Sequence, residues 1–179
     1  MSMAESQPVS DALAIVVMGV SGAGKTTVGR ALAQALGAEF IDGDDLHSDA
    51  ARAKMAAGQA LNDEDRWPWL DRVGAALASG RRIVACSALK RAYRDRIRVG
   101  AGPALRFVYL VAEPAAMRAR VASRPGHYMP ASLVDSQFAA LEPPRDEADV
   151  SILPADADLA VAIPPLARAL EDATAERAI

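Results

Sequence analysis

Residues 12–36 read ALAIVVMGVSGAGKTTVGRALAQAL, and the pattern changes twice within them. ALAIVVMG, at 12–19, is apolar, partly β-branched and closed by glycine, which predicts a buried strand. From Thr26 onward TTVGRALAQAL carries Val28, Leu32 and Leu36 at four-residue spacing, which predicts a helix with one apolar side despite Gly29. Between them, Gly19-Val20-Ser21-Gly22-Ala23-Gly24-Lys25-Thr26 matches the phosphate-binding loop pattern without a substitution. The glycines let backbone N–H groups bend around an anion, and the following helix turns its positive end toward the same place. Lys25 is then placed to reach the β and γ phosphates of a nucleotide, and the Thr26 hydroxyl to coordinate magnesium. Thr27 adjoins the phosphate site but has no claim on the metal.

The remaining chain repeats the alternation. EFID at 39–42 predicts a short strand opening into GDDLH, RIVACS at 82–87 a third strand, and ALRFVYLVA at 104–112 a fourth. Helical segments are expected over 50–57, after LNDEDRWPWL to about Ala78, from about Leu89, over 114–123, and along SLVDSQFAALE. Val150 to Leu153 predicts the last strand, with 156–163 a competitor, and the Ala-rich tail from Leu166 a closing helix. Strands alternating with helices specify a three-layer α/β domain around a parallel sheet, whose ligands gather beyond the carboxyl ends of the strands. GVSGAGKT, GDDLH and CSALK all emerge there.

Composition sets the outer limits. With 179 residues the chain fits one domain, expected over 12–179 after a flexible leader at 1–11. Twenty Lys and Arg stand against 23 Asp and Glu, a formal charge of -3, so no strong field attracts nucleic acid. No apolar run approaches the roughly 20 residues that span a bilayer, and MSMAESQPVSD lacks the pattern of an export signal, so a cytoplasmic location is expected. Cys86 is the single cysteine and reads as a buried small residue without covalent chemistry. No Asn-Lys-x-Asp segment reads guanine, which argues against a GTPase.

Several charged residues are candidates for the chemistry. Asp42 is expected to organise water around magnesium, and Asp44 to accept a hydrogen bond from an acceptor hydroxyl. His47 reads either as a substrate contact or as a loop stabiliser. Arg52, Arg66, Lys90 and Arg94 could converge on an anionic acceptor, and Trp67 and Trp69, flanking Pro68, read as core or hinge residues or as a pocket wall. RPGHYMP at 124–130 interrupts two helices, as a flap would, with Arg120, Arg124 and His127 able to bring positive charge over the phosphates and exclude water.

These blocks together resemble the bacterial gluconate kinases of the thermoresistant type. The resemblance runs through MGVSGAGKTT at 18–27, FIDGDDLH at 40–47, KMAAGQALNDEDRWPWL at 54–70, CSALKRAYRDRIR at 86–98 and RPGHYMPASLVDSQFAALEPP at 124–144. It implies a P-loop NTPase fold like that of nucleoside-monophosphate kinases, with a helical lid around 120–132. It further implies a cytoplasmic homodimer that uses ATP and Mg2+ to phosphorylate D-gluconate at its 6-hydroxyl. By position, Lys25 and Thr26 fall in the phosphate and metal site, Asp44 orients the acceptor hydroxyl, and Arg124 belongs to the lid. His47, Arg52, Asp65, Arg66, Lys90, Arg94, His127 and Gln137 lie in segments expected to line or support the gluconate side. Ala23 stands where the family commonly has serine, and Trp67 where a polar or basic residue is common.

Overall fold

The computed structural model describes residues 12–123 and 131–176. The expected leader at 1–11 and the centre of the expected lid, with Arg124 and His127, lie outside the described residues. Five strands form one parallel sheet in the order β2-β3-β1-β4-β5. They are β1 (Leu13–Met18), β2 (Glu39–Asp42), β3 (Arg81–Ala85), β4 (Leu105–Val111) and β5 (Val150–Pro154). The helices are α1 (Lys25–Leu36), α2 (Asp49–Ala56), α3 (Asp63–Leu77), α4 (Arg91–Ala101), α5 (Pro114–Ala122), α6 (Ala131–Ala140) and α7 (Leu159–Ala175).

Every residue of β1 is buried, because the strand is central and covered on both faces. Leu13, Ile15 and Val17 join Val28, Leu32 and Leu36 of α1 and Ile163, Ala167 and Leu170 of α7 on one side. Ala14, Val16 and Met18 join Trp69, Leu70 and Val73 of α3 and Tyr93 and Ile97 of α4 on the other. Strands β3 and β4 flank β1, with Val17 opposite Ala85 and Val108. The chain order therefore departs from β1 in both directions, and the crevice beyond its carboxyl end is where such sheets bind ligands.

The last strand falls at Val150–Pro154, as first expected, and not at the competing 156–163. One boundary differs from the sequence reading: the closing helix begins at Leu159 and runs through Pro164 and Pro165. Proline removes the N–H donors that would have paired with carbonyls one turn earlier, which predicts a later start. Here both prolines and Val161 face solvent, so water can satisfy those carbonyls, while Ile163, Ala167 and Leu170 carry the packing. The GDDL segment forms a single 3-10 turn, Gly43–Leu46, at the end of β2.

Candidate active site

The loop after β1 has the conformation its glycines permit: Gly22 and Gly24 adopt φ of 83° and 94°, a region that side chains rarely enter. Gly24 caps α1 without any side-chain hydrogen bond, and the first turn of α1 carries no acidic residue. Among the described residues no side chain caps this helix end, and its positive end favours an anion. The contrast is α3, whose first turn holds Asp63, Glu64 and Asp65 and is closed by an Asn62–Asp65 capping box. Lys25 Nζ donates to the Val20 carbonyl at 3.1 Å, folding its side chain back along the loop. Thr26 and Thr27 are exposed at the head of α1.

A cleft of about 270 Å³ opens beside this loop, walled by Ala23, Gly24, Thr27 and Val28 on one side and Ala155 to Ala157 and Leu159 on the other. Arg120 borders it and donates to the Gly22 carbonyl at 3.2 Å. The sequence reading missed the wall at 155–159, because the turn between β5 and α7 carries no motif and meets the phosphate loop only in three dimensions.

The acceptor candidates gather at the ends of β2 and β3. Asp42 Oδ1 accepts the Asp44 N–H at 3.1 Å and so caps the 3-10 turn, leaving Asp44 exposed. Gly43 lies so close to β3 that a Cβ would stand 2.3 Å from the Ala85 carbonyl oxygen, and only glycine fits. Trp69 Nε1 donates to the Gly43 carbonyl at 2.7 Å, and His47 stacks on the Trp69 ring with centroids 4.3 Å apart. Both alternatives kept for Trp69 reduce to one: it is a core residue whose indole pins the acidic turn. His47 is 8% exposed, and among the described residues its Nδ1 has no hydrogen-bond partner. Burial pushes its pKa down, against the opposing pull of Asp44, so the imidazole is neutral at pH 7. Arg52 donates to the carbonyls of His47, at 3.3 Å, and Asp45, and so clamps this turn.

Of the four cations considered for the acceptor, Lys90 and Arg66 lie together around one carboxylate. Lys90 Nζ lies 3.3 Å from both oxygens of Asp63, Arg66 Nη1 3.5 Å from Asp63, and the Tyr93 hydroxyl donates to the same carboxylate. Both cations also sit over the Tyr93 ring, at 5.2 Å for Lys90 and 5.8 Å for Arg66. Trp67 meets Tyr93 edge to face. The Tyr93 hydrogen bond, with Lys90 and Arg66, holds the Asp63 carboxyl below its ordinary pKa. Two cations against one carboxylate leave this half-exposed cluster with net positive charge. Tyr93 and Asp63 were not singled out as site residues, since only the crossing of α3 and α4 makes them neighbours.

Three residues expected to line or support the acceptor side are engaged with other protein groups in the structure. Arg94 is 1% exposed: it pairs with Glu147 and donates to the carbonyls of Ala88, Leu89 and Glu142, so it shapes the approach to Lys90 from beneath and presents no donor to a ligand. Asp65 binds Lys54 at 2.7 Å and caps α3. Gln137 lies on the phosphate loop, with Oε1 accepting the Ser21 N–H at 2.6 Å and Nε2 donating to Ser21 Oγ at 2.9 Å. Cys86 is buried and its thiol is pushed up to about 12 by desolvation, so it is inert, and it feels both Lys25 and Asp44. The Gly19 N–H donates to the Ser87 carbonyl at 3.3 Å and Gly43 packs against Ala85, so the phosphate loop and the acidic turn share one end of the sheet.

A parallel sheet, an uncapped phosphate loop and an adjoining cationic cluster define a P-loop kinase. A family model described as an AAA domain matches residues 15–144. A probable gluconokinase of Schizosaccharomyces pombe is 47% identical over 146 residues, covering 75% of this chain and 76% of that protein. The thermoresistant gluconokinase of Escherichia coli is 41% identical over 150 residues, covering 80% and 85%. The crystal structure of a gluconokinase from Sinorhizobium meliloti 1021 superposes with a TM-score of 0.79 at 42% identity, over 94% of this chain and 95% of that one. The chain belongs to the gluconokinase family.

Proposed function

We propose that this protein transfers the γ-phosphoryl group of ATP to the 6-hydroxyl of D-gluconate, giving 6-phospho-D-gluconate and ADP. The observation that carries this reading is the shared sheet end, where an uncapped phosphate loop adjoins a cluster of net positive charge suited to a sugar acid. The nucleotide base would occupy the cleft between the phosphate loop and residues 155–159, with Arg120 at its border. Lys25 and the N–H groups at the head of α1 would bind the phosphates, joined by Gly19 to Gly24 of the loop.

Gluconate's carboxylate would take the positive charge of Lys90 and Arg66, with Tyr93 holding both cations, so that the far hydroxyl points toward the γ-phosphate. In the transfer the 6-oxygen bonds to phosphorus, the bond to the β–γ bridging oxygen breaks, and Asp44 orients the hydroxyl and accepts its proton. Arg124 and His127 belong to the lid by resemblance and would close over the phosphates. Among the described residues no three His, Cys, Asp or Glu side chains cluster as a metal site. Mg2+ would therefore be held by the nucleotide phosphates and the Thr26 hydroxyl, with Asp42 through water, an oxygen donor set that suits it. Bound there, it would neutralise charge on the β and γ oxygens.

Among the described residues no helix is long and apolar enough to cross a membrane. The resemblance adds a cytoplasmic location and a homodimer, which cell fractionation and sedimentation would check. The deciding experiment supplies ATP and Mg2+ with gluconate, other aldonates, shikimate and nucleoside monophosphates, and identifies the phosphorylated product. Formation of 6-phosphogluconate is expected, and phosphorylation of another acceptor without gluconate turnover would overturn the assignment.

A further inference from the structure

Helices α5 and α6 meet the phosphate loop at two consecutive residues. Arg120 Nη1 donates to the Gly22 carbonyl, and Val121 packs so near that a Cβ on Gly22 would stand 3.2 Å from its Cγ2. On Ser21, the Gln137 carboxamide uses both ends at once, accepting the backbone N–H at 2.6 Å and donating to Oγ at 2.9 Å. A carboxamide matched at both ends cannot turn without losing both bonds, so the orientation of Ser21 follows the seating of α6. Ser21 is itself the neighbour of Val20, whose carbonyl receives Lys25 Nζ, and of Gly22 in its left-handed conformation.

The same segment reaches the acceptor side. Past the end of α6, the Glu142 N–H donates to the Leu89 carbonyl at 2.9 Å, and its Oε2 accepts the Arg91 N–H at 2.6 Å. Lys90 lies between those two residues. One stretch of chain, from Gln137 to Glu142, thus ties the loop that grips phosphate to the loop that carries the acceptor lysine.

We propose that Gln137 is a positioning residue for phosphoryl transfer, acting through Ser21 to hold the phosphate loop in register with Lys25 and with the acceptor loop. This rests on the kinase reading above and removes Gln137 from the residues that contact the acceptor. Its contribution is preorganisation: a loop released from α6 presents its donors to the phosphates in a wider range of geometries, which weakens transfer more than acceptor binding.

The test uses Gln137→Met, which keeps length and apolar bulk but removes both hydrogen bonds, alongside Ser21→Ala and the double variant. ATP affinity is measured by calorimetry without acceptor, and steady-state turnover with ATP, Mg2+ and gluconate. Q137M is expected to lower kcat by about tenfold or more and to weaken ATP several-fold, with KM for gluconate within about twofold. Because Gln137 acts through Ser21, adding S21A to Q137M should produce no further loss. A raised gluconate KM at unchanged kcat and ATP affinity would restore Gln137 to the acceptor site and overturn the proposal, as would losses that simply multiply. Should Q137M fail to fold, S21A alone decides: reduced kcat at unchanged gluconate KM and unchanged melting temperature supports the tie, and wild-type kinetics sink it. A wild-type enzyme inactive on gluconate would refute the acceptor assignment, whereas the ATP titrations judge Gln137 independently.

Discussion

Arg94 and Glu147 form a buried ion pair, with Nη2 and Oε1 2.5 Å apart and side chains 1% and 4% exposed. Nε also donates to Glu147, while Nη1 and Nη2 donate to the carbonyls of Ala88, Leu89 and Glu142, so one guanidinium joins the segment after α6 to the turn that precedes Lys90. Ala88 in that turn has φ of 44°, a left-handed conformation that an alanine holds only where its surroundings fix it. Arg98 completes the network, bonding Glu147 and Asp149.

Arg94→Met should therefore destabilise the protein by about 3–5 kcal/mol, since it strips donors from buried carbonyls and half the compensation from Glu147. Urea unfolding would read the loss as a lower midpoint. Gluconate turnover of the fraction that remains folded should fall as well, because the Lys90 turn loses its support.

Acid should act on the same pair. Burial alone would raise the Glu147 carboxyl, but hydrogen bonds from Arg94 and Arg98 together outweigh it and hold the pKa at about 2, below the ordinary 4.5. The stabilisation is fully present above about pH 4.5 and is lost as pH falls toward 2, where the folded state also takes up the proton. Thermal melts across that interval should show a decline that Glu147→Gln makes shallower. An unchanged slope in the variant would remove Glu147 from the account.

Lys25→Ala should leave the melting temperature nearly unchanged, because Lys25 is a partly exposed residue of the phosphate loop and lies outside the buried core. Turnover should fall by about 10²–10³-fold, the usual cost of removing one donor from developing transition-state charge. Normal turnover in the purified variant would reject the assigned phosphate role.

Lys90→Met tests the acceptor cluster. It removes the net positive charge from Arg66, Lys90 and Asp63 while keeping the apolar stem over Tyr93. A lost charge-assisted hydrogen bond of about 1.5–3 kcal/mol should raise KM for gluconate roughly 10- to 150-fold. KM for ATP should stay the same, and a rise in that constant instead would place Lys90 on the nucleotide side.

Much of the molecule was legible from local pattern. Strand, glycine loop and helix at 12–36 are specified by residues within a few positions of one another, and so is the phosphate chemistry of Gly19 to Thr26. The alternation of strands and helices follows from periodicity for the same reason. The closing helix starts before its Ala-rich run because burial of Ile163, Ala167 and Leu170 against the sheet carries it through Pro164 and Pro165, where local propensity is poor.

The functions of single charged side chains were another matter. Arg94, Lys90 and Arg66 look alike in sequence, yet one is sealed beneath the site with a carboxylate and two face a shared tyrosine. Gln137 was placed with the acceptor by its segment and stands on the phosphate loop. The sequence by itself determined the strands and helices, the phosphate loop and the family, because these rest on local periodicity and on the spacing of motifs. Only the tertiary structure decided which of these cations stand at the surface of the cleft end and which are sealed into the scaffold. A charge is assigned by the partners that packing brings within about 3 Å, and those partners lie tens of residues away in the chain.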